Sequence, residues 1–390
     1  MEKNIVVLID VYNKTGGASL VAVKAGREYR KHFSKVFIVC NDYLKGEELP
    51  VDILQLNNVT SIQKFLNENH INFIHYFKSQ HLVTSKRLFD KFVKAASNLS
   101  SSIKVLTTVC QQPSSAIAFL SPFEIKHSDK IVFIDQTAYN DKYFSFIPSE
   151  KKTWMYLSSP QKKIPIDSFA KKEYYNHGDV IMFGRGSTLN KCPFDVITLY
   201  DKIKISGKKK FLIIGIPKTD NWLAKKIKNR KDIVSYPILP EKSYAQIASK
   251  MDIFLYYLPK DSYSSIDGSL GIVMRMGVPV IVYGPKAPKE RIVHGVNGFI
   301  ANSKEEIIMY AERLAADPAL REYIGKNARK SILENIPQRC WVDEHIDIIR
   351  ELFESKSSKR ISCPLSLYII ALFKYIVWLI TKILLKIKKV

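Results

Sequence analysis

Three glycine-bearing stretches hold the residues best suited to chemistry. Thr15-Gly16-Gly17-Ala18 follows the apolar run Ile5–Ile9 and opens a helical pattern. Glycine permits close backbone approach, and a helix start offers free N–H groups and a positive dipole end to an anion. A plain helix start would use the same residues. The second stretch, Val180-Ile181-Met182-Phe183-Gly184-Arg185, is followed by Lys191, with Pro193 opening a helix. Arg grips phosphate oxygens with a bidentate fork and Lys acts as a point charge, although a solvated lysine on a capping loop fits the same pattern. The third runs from Asp261 to Val280, where Gly268 and Gly271 mark a loop turning into a helix. The helix start again presents backbone donors, while Met274 and Met276 read as core. All three suit a phosphate-bearing ligand.

Other reactive residues are sparse. Cys40, Cys110, Cys192, Cys340 and Cys363 are scattered, without a Cys-x-x-Cys pair. That pattern speaks against a zinc site or a disulfide framework and for a reducing compartment. No metal ligand set and no tightly bound cofactor are expected.

The elements that must position these loops alternate regularly. Strand-like runs cover Ile5–Ile9, Lys35–Val39, Val51–Leu54, Phe73–Phe77, Lys104–Thr108 and Lys130–Ile134. A second series covers Val180–Phe183, Phe211–Ile214, Ile233–Tyr236, Ile253–Tyr257, Pro279–Tyr283 and Phe299–Ala301. Amphipathic segments such as Ser19–His32, Ser61–Asn69 and Ser85–Ser97 separate the strands. This alternation predicts two doubly wound α/β domains, joined by the polar stretch 171–178, with ligands in a cleft outside the carboxyl ends of the strands.

The chain has 390 residues, 46% hydrophobic, with 60 Lys and Arg against 37 Asp and Glu, a net charge of +23. It is too apolar for a disordered tail, and its charge points to polyanionic partners. No compact basic-aromatic motif supports nucleic acid, which leaves anionic lipid and phosphorylated substrates. The C-terminal stretch 364–390 lacks any acid, and Leu365–Leu385 is charged only at Lys374 and Lys382. It is long enough to span a bilayer. On a helical wheel, however, Lys374, Lys382, Lys386 and Lys389 share about a third of the circumference, which suits a helix lying in an anionic membrane surface. A helix packed on the protein's own core is the other reading. No signal peptide precedes the first strand, so the expected location is the cytoplasmic side of the cell membrane.

Several segments resemble the GT-B glycosyltransferases of the large retaining family 4. Gly16-Gly17 resembles the glycine loop after the first strand. Gly184, Arg185 and Lys191 resemble the cationic group that neutralises the donor diphosphate, and Lys163-Ile-Pro-Ile-Asp-Ser-Phe169 the stretch ahead of the second domain. The strongest similarity runs through Met274-Arg-Met-Gly277-Val-Pro279, Glu290-Arg-Ile-Val-His-Gly295-Val-Asn-Gly298-Phe299 and Ala315-Ala-Asp317-Pro-Ala-Leu-Arg321. The resemblance implies a GT-B fold: an acceptor domain over 1–170, a nucleotide-sugar domain over 171–335, a helix over 336–355 packing back toward the N-terminal domain, and the basic tail over 356–390. It implies a metal-independent, retaining transfer from a nucleotide-diphosphate sugar to a saccharide acceptor, with Gly16, Gly17, Arg185, Lys191, Gly268, Ser269 and Leu270 on the donor. The basic tail suggests a lipid-linked acceptor. Two departures stand out. The family's glutamate pair would fall where Ser264 and Ile272 stand, leaving Asp267 as the substitute acid. The histidine expected after the fifth strand is replaced by Cys110-Gln111-Gln112, with His75 the nearest alternative. A non-catalytic GT-B relative serving as a scaffold is the alternative function.

Overall fold

The computed structural model describes residues 2–12, 17–43, 48–79, 88–97, 103–115, 118–157, 166–170, 180–186, 192–215, 222–260, 262, 264, 268–334, 340–355 and 360–387, with side chains in the last helix described through 377 and at 379 and 380. Two compact units divide the chain: Met1–Leu157 with Arg339–Val390, and Ser158–Gln338. The division falls before residue 170 because Ile166 is buried in the second unit's core and Asp167 ion-pairs there.

The first unit is built on a parallel sheet of β1 (Asn4–Tyr12), β2 (Lys35–Tyr43), β3 (Ile53–Gln55), β4 (Phe73–Lys78), β5 (Lys104–Val109), β6 (Lys130–Phe133) and β7 (Lys152–Trp154). Their spatial order is β3-β2-β1-β4-β5-β6-β7. Strand β7 escapes the sequence pattern because it is a three-residue edge strand with no apolar run. The helices are α1 (Gly17–Tyr29), α2 (Val59–Glu68), α3 (Leu88–Ala96), α4 (Pro122–Lys126) and α5 (Gln136–Tyr139). Strand β1 is apolar almost throughout because both its faces are covered. Ile5, Val7 and Ile9 face a core shared with Ala22 and Tyr29 of α1, whereas Val6 and Leu8 face Ile62 of α2 and Phe92 of α3.

The second unit repeats the plan with β8 (Val180–Gly186), β9 (Lys208–Ile214), β10 (Ile233–Tyr236), β11 (Ile253–Tyr257), β12 (Val280–Tyr283) and β13 (Phe299–Ile300), in the order β10-β9-β8-β11-β12-β13. Its helices are α6 (Val196–Lys202), α7 (Trp222–Ile227), α8 (Glu241–Ala248), α9 (Gly268–Arg275), α10 (Lys286–Lys289), α11 (Lys304–Ala316) and α12 (Pro318–Glu334). The chain then returns to the first unit as α13 (Trp341–Glu354) and α14 (Leu365–Ile387). Among the described residues, no helix is long and apolar enough to cross a membrane.

Much of the strongest sequence pattern proves to be local architecture. Gly277 has φ 78° and ends α9, with the Val278 N–H donating back to the Val273 carbonyl at 3.3 Å. That left-handed stop needs glycine, and it turns the chain through Val278-Pro279 into β12. Asn297 stitches the following loop, accepting from the Val293 N–H (2.7 Å) and donating to the Arg291 carbonyl (3.0 Å). Arg321 is fully buried and donates to the Leu314 and Ala315 carbonyls at 2.6 and 2.9 Å. Its guanidinium closes the end of α11, whose last carbonyls lack helical partners, while Asp317 accepts from the Leu320 N–H at the start of α12 (2.9 Å).

Candidate functional site

In each sheet the strand order reverses at one point, between β8 and β11 in the second unit and between β1 and β4 in the first. Ligands of open parallel sheets lie outside the carboxyl ends of such strands, because the helices leading away on either side open a crevice there.

At the β8–β11 point stands Arg185. It lies on β8 itself, is 1% exposed, and donates from Nη2 to the Tyr257 carbonyl at the end of β11 (3.1 Å). Gly184 lets β8 pass beneath Met251, since a Cβ there would lie 1.9 Å from Met251 Sδ. The Tyr257 hydroxyl donates to Asp195 (2.8 Å), which also pairs with Lys304, so one tyrosine links β11 to α6 and α11 beside Arg185. The Cys192 thiol is pushed up by burial and drawn partly back by the neighbouring guanidinium.

Helix α9 follows β11 in the chain and starts at Gly268, so its first-turn N–H groups belong to the same edge of the sheet. Gly268 and Ser269 are partly exposed, while the Leu270 side chain is buried core. The far end of α9 is clamped. Buried Arg275 donates to Asp167 at 2.6 and 3.1 Å, and Arg329 of α12 adds a third bond to Asp167 at 3.0 Å. Hydrogen bonding from Arg275 holds the Asp167 carboxyl below the usual carboxylate range. The segment containing Asp167 thereby fixes α9, which explains the Asp167-Ser-Phe169 pattern in structural terms.

Of the residues picked from the sequence, Arg185, Gly268, Ser269 and Leu270 lie in the second unit and Gly17 at the start of α1 in the first. A Cβ built on Gly17 meets no atom within 4 Å, so internal packing does not demand glycine there. Gly16, Lys191 and Asp267 lie outside the described residues. Ile272 packs against the core of the second unit, and Ser264 is buried at 1% exposure, so neither position carries a charge.

At the β1–β4 point the first unit holds a buried polar group that sequence reading missed. Lys78, ending β4, donates to Glu124 at 2.8 Å, and both side chains are at most 1% exposed. Glu124 accepts further bonds from the N–H and Oγ of Ser121, both at 2.8 Å, in a capping box that starts α4. Asp10, near the end of β1, accepts from the Tyr76 hydroxyl (2.5 Å) and from the Leu88 N–H at the start of α3 (3.2 Å). Burial raises its pKa. A lysine closing the apolar strand Phe-Ile-His-Tyr-Phe-Lys and the Ser121-x-x-Glu124 box were the available signals.

His75 is no substitute for a catalytic histidine. It sits inside β4, fully buried, within a hydrogen-bonded chain whose direction is set at its far end. The His345 Nδ1–H must donate to the Trp341 carbonyl (2.8 Å), which leaves its Nε2 to accept from the Thr108 hydroxyl (2.9 Å). Thr108 therefore accepts from His75 Nε2 (2.8 Å), and Tyr29 donates to His75 Nδ1 (3.0 Å). Burial keeps both imidazoles neutral, with His345 pushed down to about 4. This chain ties α1, β4, β5 and α13 together. Cys110, after β5, is equally unsuited to nucleophilic work, because burial pushes its thiol up to about 12. Gln112 donates to Asp135 at 3.0 Å. Among the described residues, no group of three or more His, Cys, Asp or Glu could hold a metal ion.

Known proteins share this architecture. The Anabaena HepE protein in complex with UDP-glucose is similar over 90% of this chain and 100% of its own, with a TM-score of 0.65 and 13% identity. A glycosyltransferase from Rickettsia africae covers 91% of this chain and 100% of its own, with a TM-score of 0.64 and 13% identity. The lipopolysaccharide outer core galactosyltransferase WaaB covers 89% and 99%, with a TM-score of 0.64 and 13% identity. No curated protein gave a significant sequence match. Residues 164–331 match the family model of glycosyl transferases group 1, a span that includes Arg185, α9 and its Asp167 clamp, and the Arg321 corner. The chain thus has the fold of the GT-B glycosyltransferases, and residues 164–331, most of its second unit, match the glycosyl transferases group 1 model.

Proposed function

We propose that this chain moves a sugar from a nucleotide-diphosphate donor, held by the second unit, to a lipid-linked saccharide acceptor served by the first. The observation that carries the donor half is the position of Arg185. A buried cation stands at the point where strand order reverses, on the same sheet edge as the first-turn N–H groups of α9. Leaving-group charge on a diphosphate is stabilised by such preorganised donors in a low-dielectric setting. Arg185, Lys191 and the N–H groups of Gly268–Leu270 share that charge, Gly17 gives the ligand room, and no metal ion or protein nucleophile enters the scheme. The anomeric configuration is retained. Asp267 is the acid available near the sugar. UDP-glucose is the first donor to test, since a protein of this fold binds it, and a glycolipid or surface-polysaccharide precursor is the acceptor class suggested by the likeness to WaaB and by the basic tail. The tail, residues 364–390, holds the protein to an anionic membrane on its cytoplasmic face.

The test is donor binding. A panel of sugar nucleotides at about a hundredfold excess over Kd stabilises the folded protein by roughly 2.7 kcal/mol, seen as a rise in Tm, and the productive donor is slowly hydrolysed. Arg185→Ala loses both responses. A wild type that answers to no donor, and matches Arg185→Ala throughout, is instead the non-catalytic relative.

A further inference from the structure

Among its described side chains, helix α14 packs on the core of the first unit with one side. Leu367 is 1% exposed and lies with Ile361 in a core built from Phe119, Ile125 and Phe144. Ile370 and Ala371 pack against the same core, and the Cys363 thiol just ahead of the helix meets the Pro122 carbonyl of α4 at 3.6 Å. At 3.6 residues per turn, positions 367, 370, 371 and 374 share one side of the helix. The opposite side carries Leu365, Ile369, Leu372, Phe373 and Ile376, between 45% and 76% exposed. A contiguous apolar ridge of this kind marks a contact surface.

Charge identifies what covers it. From Ser355 to Val390 the chain has Lys or Arg at eight positions and no acid. Lys126 of α4 and Arg360 are exposed near the start of the helix. They lie close enough to His127 that, after burial, their charges help hold its pKa down. Phe123, 37% exposed, adds an apolar group on α4. An uncharged ridge bordered by uncompensated bases suits acyl chains beneath anionic headgroups. A second copy of the same basic surface would instead be repelled.

The inference rests on the membrane reading above and sharpens it: we propose that α14 lies in the plane of an anionic bilayer as a fixed part of the first unit, with its 367/370/371/374 side toward the protein and its Leu365–Ile376 ridge toward the acyl chains. A spanning helix would have to pull Leu367 and Ile370 out of the core that holds them.

The full chain, carrying a cleavable tag at its C-terminus, is added to vesicles of phosphatidylcholine containing about a quarter phosphatidylglycerol. Partition of the Ile369→Ser/Phe373→Ser variant is expected to fall by about tenfold or more. Lys126→Glu should lower partition severalfold, and the tag should remain open to protease added outside. Protection of the tag overturns the in-plane arrangement. Unchanged partition of the Ile369→Ser/Phe373→Ser variant overturns the outward ridge. A lipid-free dimer that this variant dissolves, seen by light scattering, assigns the ridge to a subunit contact and overturns the proposal. Deletion of 364–390 is the separate control: if partition survives it, the membrane reading itself fails, whereas loss on deletion with a protected tag leaves that reading standing and sinks only the orientation.

Discussion

Replacing Thr108 by valine isolates the hydrogen-bonded chain that joins the C-terminal helix to the first sheet. Valine keeps the β-branched shape but removes the one hydroxyl that accepts from His75 and donates to His345, at 2.8 and 2.9 Å. All three side chains are fully buried, so water cannot replace the lost partner. The variant strands one buried N–H and one buried ring nitrogen, at about 1–3 kcal/mol each, for a total near 4 kcal/mol. Thr108→Ser keeps the hydroxyl and loses only a methyl group, which costs about 1 kcal/mol. In a unit of this size, about 2–4 °C of Tm follows each kcal/mol, so the two variants should differ by roughly 6–12 °C. Differential scanning calorimetry can follow the transition of the first unit separately from that of the second, as a two-unit chain requires. A Thr108→Val protein as stable as Thr108→Ser would refute the reasoning, because packing would then outweigh the hydrogen bonds.

Two further outcomes follow from the geometry. Burial depresses the His345 pKa to about 4 from the usual imidazole value of 6.5, so its contribution is fully present above pH about 6.5 and is lost as pH falls toward 4, amounting to about 3 kcal/mol by the lower limit. His75, shifted in the same direction by burial, adds to the loss of stability as the pH falls. Denaturant titrations between these limits should show a steeper acid loss for wild type than for His345→Gln. In the second unit, Gly184→Ala drives a Cβ to 1.9 Å from Met251 Sδ. It should destabilise by about 1–3 kcal/mol or more, as overpacking does. Met251→Ala in the same chain should recover part of the loss, as measured by urea unfolding.

Legibility followed the distance over which each feature is decided. Twelve of the thirteen strands among the described residues announce themselves as apolar runs, since a sheet covered on both faces needs nothing but local composition to be seen. The edge strand β7, half-buried and three residues long, leaves no such trace. Gly277 stops α9 through its own φ, and Asp317 and Arg321 close a corner between neighbours in sequence, so these too were readable, although as a family pattern rather than as turns and caps. The fate of the polar residues was not. His75 meets Thr108 across 33 residues and Thr108 meets His345 across 237, while Lys78 finds Glu124 across 46. Nothing in the neighbourhood of any one of them distinguishes a buried, neutral tie from a catalytic base. The tail shows the same division. Its lysine spacing and apolar length are properties of the sequence, but which side faces the protein depends on Leu367 and Ile370 entering a core assembled from residues more than two hundred positions earlier. Sequence by itself thus determined the two doubly wound units, the turns between their elements and the basic charge, because periodicity, backbone torsion and composition act locally. Only tertiary structure decided which polar groups are sealed in and which apolar face is left open, because burial is set by partners that the chain brings together from far apart.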